Sequence, residues 1–104
     1  MGAGGLFFTQ AGAVSTGSRD KADFSRELGV TLQRLRLERG LSQERLAHMA
    51  GISSYTYQKF EKGESKPGTP MNPRLFTLLS LAEVLEVALE ELVPTEWPDL
   101  TEGR

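Results

Sequence analysis

LSQERLAHMAGISSYTYQKFEKG, residues 41–63, reads as two short helices joined by a tight turn. Ser42 suits an N-cap, because its hydroxyl can accept from an orphan amide of the first turn, and Glu44 puts negative charge near the positive end of the helix dipole. A helix therefore starts at Gln43. Leu46, Met49 and Ala50 recur at i, i+3 and i+4 on one face, and Ala47 beside them leaves room for another helix to cross closely. Gly51 supplies the positive φ of a helix stop, Ile52 returns an apolar side chain to the core, and Ser53 caps the next helix. In that second helix Tyr57, Phe60 and Glu61 share one face, while Ser54, Tyr55, Gln58, Lys59 and Lys62 occupy the rest. One side packs and the other is displayed.

Upstream, Phe24, Leu28, Leu32 and Leu35 mark an amphipathic helix that starts at Asp23 as N-cap and ends at Arg39 before Gly40. Gly29 costs that helix about 1 kcal/mol relative to alanine. Downstream, three prolines and one glycine in residues 64–73 stop any helix. Asn72-Pro73 is a cap followed by a first helical residue. From there Leu75, Leu78, Leu79, Ala82 and Leu85 line a fourth helix, widened by Phe76 and Val84. Val87, Leu89, Leu92 and Val93 give a short fifth helix ending before Pro94. Residues 1–22 form a Gly-, Ala-, Ser- and Thr-rich arm, expected to be flexible, in which only Leu6-Phe7-Phe8 has apolar surface to dock on this domain or on a second copy. Residues 95–104 are an acidic tail whose Trp97 is expected to pack onto its own domain. The folded domain is thus residues 23–94, an all-α, compact bundle of four to five helices.

The ordered set from Gln43 to Gly63, with small Ala47, Gly51 at the turn, Ile52, and Tyr57 and Phe60 at the apolar positions of the second helix, resembles the helix-turn-helix of phage repressor and Cro type (lambda repressor-like, XRE-like) found in bacterial transcriptional regulators. The likeness runs upstream through residues 28–43 and reappears in residues 78–87. There Glu86 stands where a glycine is common, and Ala88 where a capping Ser or Asp is common. Family members pass from the position of Pro67 into the next helix almost at once, so residues 68–73 read as an insertion whose removal is expected to spare the fold.

That resemblance implies sequence-specific binding of double-stranded DNA and regulation of transcription, by repression. The recognition helix, about residues 54–61, would enter the major groove, with Ser54, Tyr55, Gln58 and Lys59 at base edges. Gln43, at a helix N-terminus, matches the position that binds phosphate; Arg45, Lys62 and Lys66 are further phosphate contacts. Arg36 and Glu61 match a structural ion pair tying the first helix to the recognition helix. A twofold homodimer on a pseudo-palindromic operator is implied as well, using apolar residues at both ends of the chain. The alternative within the same fold is a protein-binding module such as an antitoxin or a transcription coactivator, with the acidic C-terminal half as the partner surface.

Composition narrows the classes further. The chain of 104 residues has room for one domain, and zero cysteines exclude disulfides and thiolate metal sites. A single histidine, His48, cannot build a metal cluster and reads as a surface residue. No histidine pair, cysteine nucleophile or phosphate-cradling glycine loop is present, so neither an enzyme nor a cofactor is expected. No apolar run reaches the length of a membrane span and no secretory signal opens the chain, which places it in the cytoplasm. The net charge of −2 conceals a division: residues 19–66 carry ten Lys/Arg against seven Asp/Glu, residues 67–104 two against seven. Such polarity orients a small protein on a polyanion even when the sum is negative.

Overall fold

The structure, a computed structural model, describes residues 20–101. Most of the expected arm, with Leu6-Phe7-Phe8, and the last three residues lie outside that range. Among the described residues the order is α1 (Lys21–Glu38), α2 (Gln43–Ala50), α3 (Ser54–Lys62), β1 (Glu64–Lys66), β2 (Thr69–Pro70), α4 (Leu75–Leu85) and α5 (Leu89–Leu92). The bundle is mostly helical as expected, with one small two-stranded sheet that the all-α reading did not include.

Local signals set the ends of α2 and α3 as read from the sequence. The hydroxyl of Ser42 accepts from the Arg45 N–H, and that of Ser53 from the Thr56 N–H. Gly51 closes α2 at φ 78°. The start of α1 differs from expectation: Asp20 is the cap, accepting from the Asp23 N–H at 2.8 Å, and Asp23 lies inside the first turn beside Arg26. Both aspartates suit a cap, but capping by Asp20 adds Lys21, Ala22 and Asp23 to the helix.

Leu28, Leu32 and Leu35 of α1 bury against Leu46 and Ala47 of α2, Tyr57 and Phe60 of α3, and Leu81, Ala82 and Leu85 of α4. Leu32, Leu46, Leu81 and Leu85 are fully enclosed, each contributing about 1.5–3 kcal/mol by burial. Gly29 lies where α1 meets α3. A Cβ on it would fall 2.4 Å from the Glu61 carbonyl oxygen and 2.6 Å from that of Phe60. Its low helix propensity is therefore the condition for the crossing. Gly63 answers two demands at the end of α3, a φ of 82° and an approach to α1 in which a Cβ would sit 2.8 Å from the Arg26 Cα.

Beyond Gly63 the proline-rich stretch is a hairpin rather than an open loop. Lys66 pairs with Thr69 and Glu64 with Pro70, with an irregularity between Glu64 and Lys66. Pro67 and Gly68 occupy the turn, Gly68 with φ 81°, which is the Pro-Gly pattern of a type II turn. The Met71 N–H then donates to the Gly63 carbonyl at 2.8 Å, the buried Ser25 hydroxyl donates to the Met71 carbonyl at 2.7 Å, and the Met71 side chain packs on the core. Removing residues 68–73 would take this anchor away, so the deletion is expected to cost stability.

The fourth helix starts two residues later than expected: Arg74 is its cap, without a side-chain hydrogen bond, and Asn72-Pro73 stay outside. Its buried face also differs. Leu81, Ala82 and Leu85 are buried and Leu78 and Val84 pack beside them, but Leu75, Phe76 and Leu79 face outward, Phe76 at 79 % exposure. Met49 of α2 is likewise exposed. Glu86 takes the glycine-like position, at φ 59°, and its carboxylate accepts from Arg39 at 3.3 Å. Ala88 opens α5 without a side-chain cap; the Glu91 carboxylate accepts from its N–H at 3.4 Å instead. The tail folds back, burying Pro94 and Pro98, and Trp97 lines an apolar groove with Phe24, Leu28, Met71, Leu78 and Val93.

Candidate nucleic-acid interface

The site is built on one carboxylate. Glu61, in the last turn of α3, accepts from Arg36 Nε at 2.6 Å and Nη2 at 3.2 Å, from the Tyr57 hydroxyl at 2.5 Å and from Gln43 Nε2 at 2.9 Å. Arg36 also donates from Nη1 to the Leu41 carbonyl at 2.9 Å. The Arg36 and Glu61 side chains are only 10 % and 6 % exposed. Burial pushes the Glu61 carboxyl up, but the hydrogen bonds from Arg36, Tyr57 and Gln43 outweigh it and hold the group below the usual carboxylate range. The hydrogen bond to Glu61 raises the Arg36 guanidinium against the opposing effect of burial. Burial first, and then donation to Glu61, raises the Tyr57 phenol far above its ordinary value, so it remains a donor. This cluster fixes the rotation of α3 about its axis relative to α1 and ties the N-terminus of α2 to both.

Two of these partners were not legible as such in the sequence. Tyr57 reads as an apolar core position, yet its hydroxyl is part of the cluster. Gln43, expected at phosphate, spends one amide hydrogen on Glu61 and is half-buried. Arg45, two residues on in the same first turn, is exposed.

With Tyr57 and Phe60 buried, the opposite side of α3 faces solvent. Tyr55 is 68 % exposed, Gln58 and Lys62 are exposed, and Ser54 and Lys59 are half-buried. Lys59 Nζ lies 4.2 Å from the centroid of the Tyr55 ring, the geometry of a cation–π contact one helical turn apart. Tyr55, Gln58, Lys59 and Lys62 share one surface with Lys66 of β1. Arg45 and Gln43 belong to the start of α2, and His48 is an exposed residue of its last turn. The hairpin is the element that sequence reading missed here; Pro67-Gly68 flanked by residues tolerated in strands was its available signal. Among the described residues no helix is long and apolar enough to cross a membrane.

Comparisons with known proteins agree with this geometry. A family described as a helix-turn-helix domain matches residues 27–94. An uncharacterized HTH-type transcriptional regulator, y4dJ of Sinorhizobium fredii, is 36% identical over 75 residues, spanning 71% of this chain and 90% of the relative. Among solved structures, the restriction-modification controller protein C.AhdI from Aeromonas hydrophila is 33% identical, covers 64% of this chain and 92% of its own, and superposes with a TM-score of 0.57. SinR, a master regulator for biofilm formation solved in complex with DNA, is 26% identical over 62% of this chain and 95% of its own, with a TM-score of 0.54. The chain belongs to the helix-turn-helix family of transcriptional regulators, of the phage repressor and Cro type.

Proposed function

We propose that this protein binds double-stranded DNA sequence-specifically and regulates transcription from the cytoplasm as a repressor. The observation that carries the reading is the division of α3: one face is locked into the core by Tyr57, Phe60 and Glu61, and the other presents Tyr55, Gln58 and Lys62 to solvent. A helix held this firmly and left polar on its outer side is suited to enter a major groove, where side chains near its N-terminus meet base edges. Ser54, Tyr55 and Gln58 are the reading residues, with Lys59 beside them. Gln43, Arg45, Lys62 and Lys66 contact phosphate, the first two at the dipole-positive start of α2. SinR was solved on DNA, which supports the same docking here.

The protein acts as a twofold dimer on a pseudo-palindrome with half-site centres about 34 Å apart. Val93 and Trp97 are engaged in the intramolecular groove, so the surface for a second copy is the exposed apolar side of α4 formed by Leu75, Phe76 and Leu79. Selection of bound sequences from a random duplex pool tests function and symmetry together. Enrichment of an inverted repeat is expected. A pool that shows no enrichment refutes DNA reading and leaves the protein-binding alternative, and sedimentation as a monomer both free and on selected DNA refutes the dimer.

A further inference from the structure

Beside the displayed face of α3 lies a cleft of about 290 Å3 that has the C-terminal half of α3 on one side and the hairpin on the other. Tyr55, Lys59 and Lys62 line it from the helix, and Glu64, Lys66 and Pro67 from the hairpin. Three lysines therefore line one space against a single acidic residue, and that carboxylate is occupied: Glu64 Oε2 accepts from the Gly68 N–H at 3.3 Å within the hairpin. Lys59 does not extend freely from the helix. Its Nζ rests 4.2 Å from the Tyr55 ring centroid, on the surface that borders the cleft. The far wall is held in place, because Met71 ties the base of the hairpin to the Gly63 carbonyl and to Ser25 of α1.

We propose that this cleft clamps one phosphodiester strand of the bound duplex, with Lys62 and Lys59, the latter supported by Tyr55, on the helix side and Lys66 on the hairpin side. The proposal rests on the DNA-binding reading above and deepens it in two ways. The hairpin, whose second strand lies in the segment that the family resemblance marks as an insertion, becomes one wall of the seat for the backbone that Lys62 and Lys66 touch. Lys59 becomes a phosphate contact rather than a base reader. A lysine that reads guanine must place its ammonium against the O6 and N7 acceptors in the groove; one drawn onto a tyrosine ring beside two other lysines is placed for a shared anionic backbone. A strand lying between α3 and β1 also limits how α3 can rotate in the groove, so the clamp fixes the register in which Ser54, Tyr55 and Gln58 meet the bases.

The test uses the full chain and Lys59→Ala, Lys62→Ala and Lys66→Ala, each titrated between 50 and 200 mM salt against its selected duplex, all single-base variants of it, and a scrambled duplex. Each substitution is expected to lower the slope of log affinity against log salt by about 0.9, the loss of one phosphate neutralised, on every duplex alike. Preference among the single-base variants is expected to stay at the wild-type ratios. Selected duplexes carrying one neutral methylphosphonate at successive positions then locate the contacts, and the three variants are expected to lose sensitivity at the same or adjacent positions of one strand. An unchanged slope for Lys66→Ala removes the hairpin from the interface. A Lys59→Ala variant that loses preference at one base pair overturns its reassignment and restores it as a reader. Contacts mapping to opposite strands overturn the clamp while leaving DNA binding intact, whereas wild-type protein that binds no duplex overturns both readings.

Discussion

Gly29→Ala puts the α1–α3 crossing to a test in which two physical arguments give opposite signs. For an isolated helix, replacing glycine by alanine adds about 1 kcal/mol of stability. In this fold the added Cβ falls 2.4 Å from the Glu61 carbonyl oxygen, 2.6 Å from that of Phe60 and 2.8 Å from the Glu61 carbonyl carbon. The first of these is about 1 Å short of the ~3.4 Å at which ordinary contact begins. All three atoms are backbone, so no side chain can rotate away and α3 as a whole must shift. Overpacking of this kind costs about 1–3 kcal/mol, and with backbone on the far side the upper end applies. Set against the propensity gain, the net loss is about 2 kcal/mol, a fall in Tm of about 8–16 °C for a domain of this size. Urea denaturation followed by far-UV circular dichroism measures it, and affinity for the selected duplex at a temperature well below both midpoints is expected to fall as well, because the displaced helix is the recognition helix. A midpoint that rises would mean that α1 and α3 do not cross at Gly29 and would refute the packing argument.

The Arg36–Glu61 pair carries a second expectation. Arg36→Ala or Glu61→Gln lowers stability at pH 7 by about 3–5 kcal/mol because the remaining partner is left buried without its counter-charge; losses below about 0.5 kcal/mol in chemical denaturation would place the pair at the surface. Since the folded-state pKa of Glu61 lies below its unfolded value of 4.5, its stabilisation is complete above about pH 4.5 and is lost as pH falls toward the folded value. Glu61→Gln therefore flattens the acid limb of the wild-type stability profile, and an unaltered limb would assign acid lability to other groups. Gln43→Ala weakens binding to all duplexes by a similar factor, as a phosphate contact does, and also destabilises the fold by about 1.5–3 kcal/mol through its hydrogen bond to the charged Glu61. A change in base preference without loss of stability would contradict both roles. Glu86→Gly relieves a left-handed non-glycine residue at the end of α4 and raises stability by about 1 kcal/mol, less what the exposed contact to Arg39 contributes; thermal melts that show a loss would make the Arg39 contact the larger effect.

What the sequence determined by itself is local. Ser42 and Ser53 cap their helices because a cap needs only a hydroxyl and the amides two or three residues on, and Gly51 ends α2 because a positive φ is a property of that residue alone. The apolar period of α1 and the paired Tyr57 and Phe60 followed from helical geometry. The ordered string of such signals was enough to recognise the family and to mark the displayed side of α3. At the start of α1 the reading placed the cap at Asp23 and the structure places it at Asp20, because both aspartates satisfy the same local rule.

Only the tertiary structure decided which side of α4 is core, because Leu75, Leu78, Leu79, Leu81 and Leu85 offer more apolar surface than one face can bury, and the packing of α4 against α2 and α5 selects among them. It also decided that Gly29 is a contact requirement and not a weak point, that the Tyr57 hydroxyl and the Gln43 amide belong to the Glu61 cluster, and that residues 64–70 return as a hairpin beside the recognition helix. Each of these depends on a partner many residues away: α3 for Gly29, α1 and α2 for Glu61, Ser25 and Gly63 for Met71. Propensity and spacing describe a residue and its near neighbours along the chain, whereas these outcomes are set by which surfaces meet once the chain has folded back on itself.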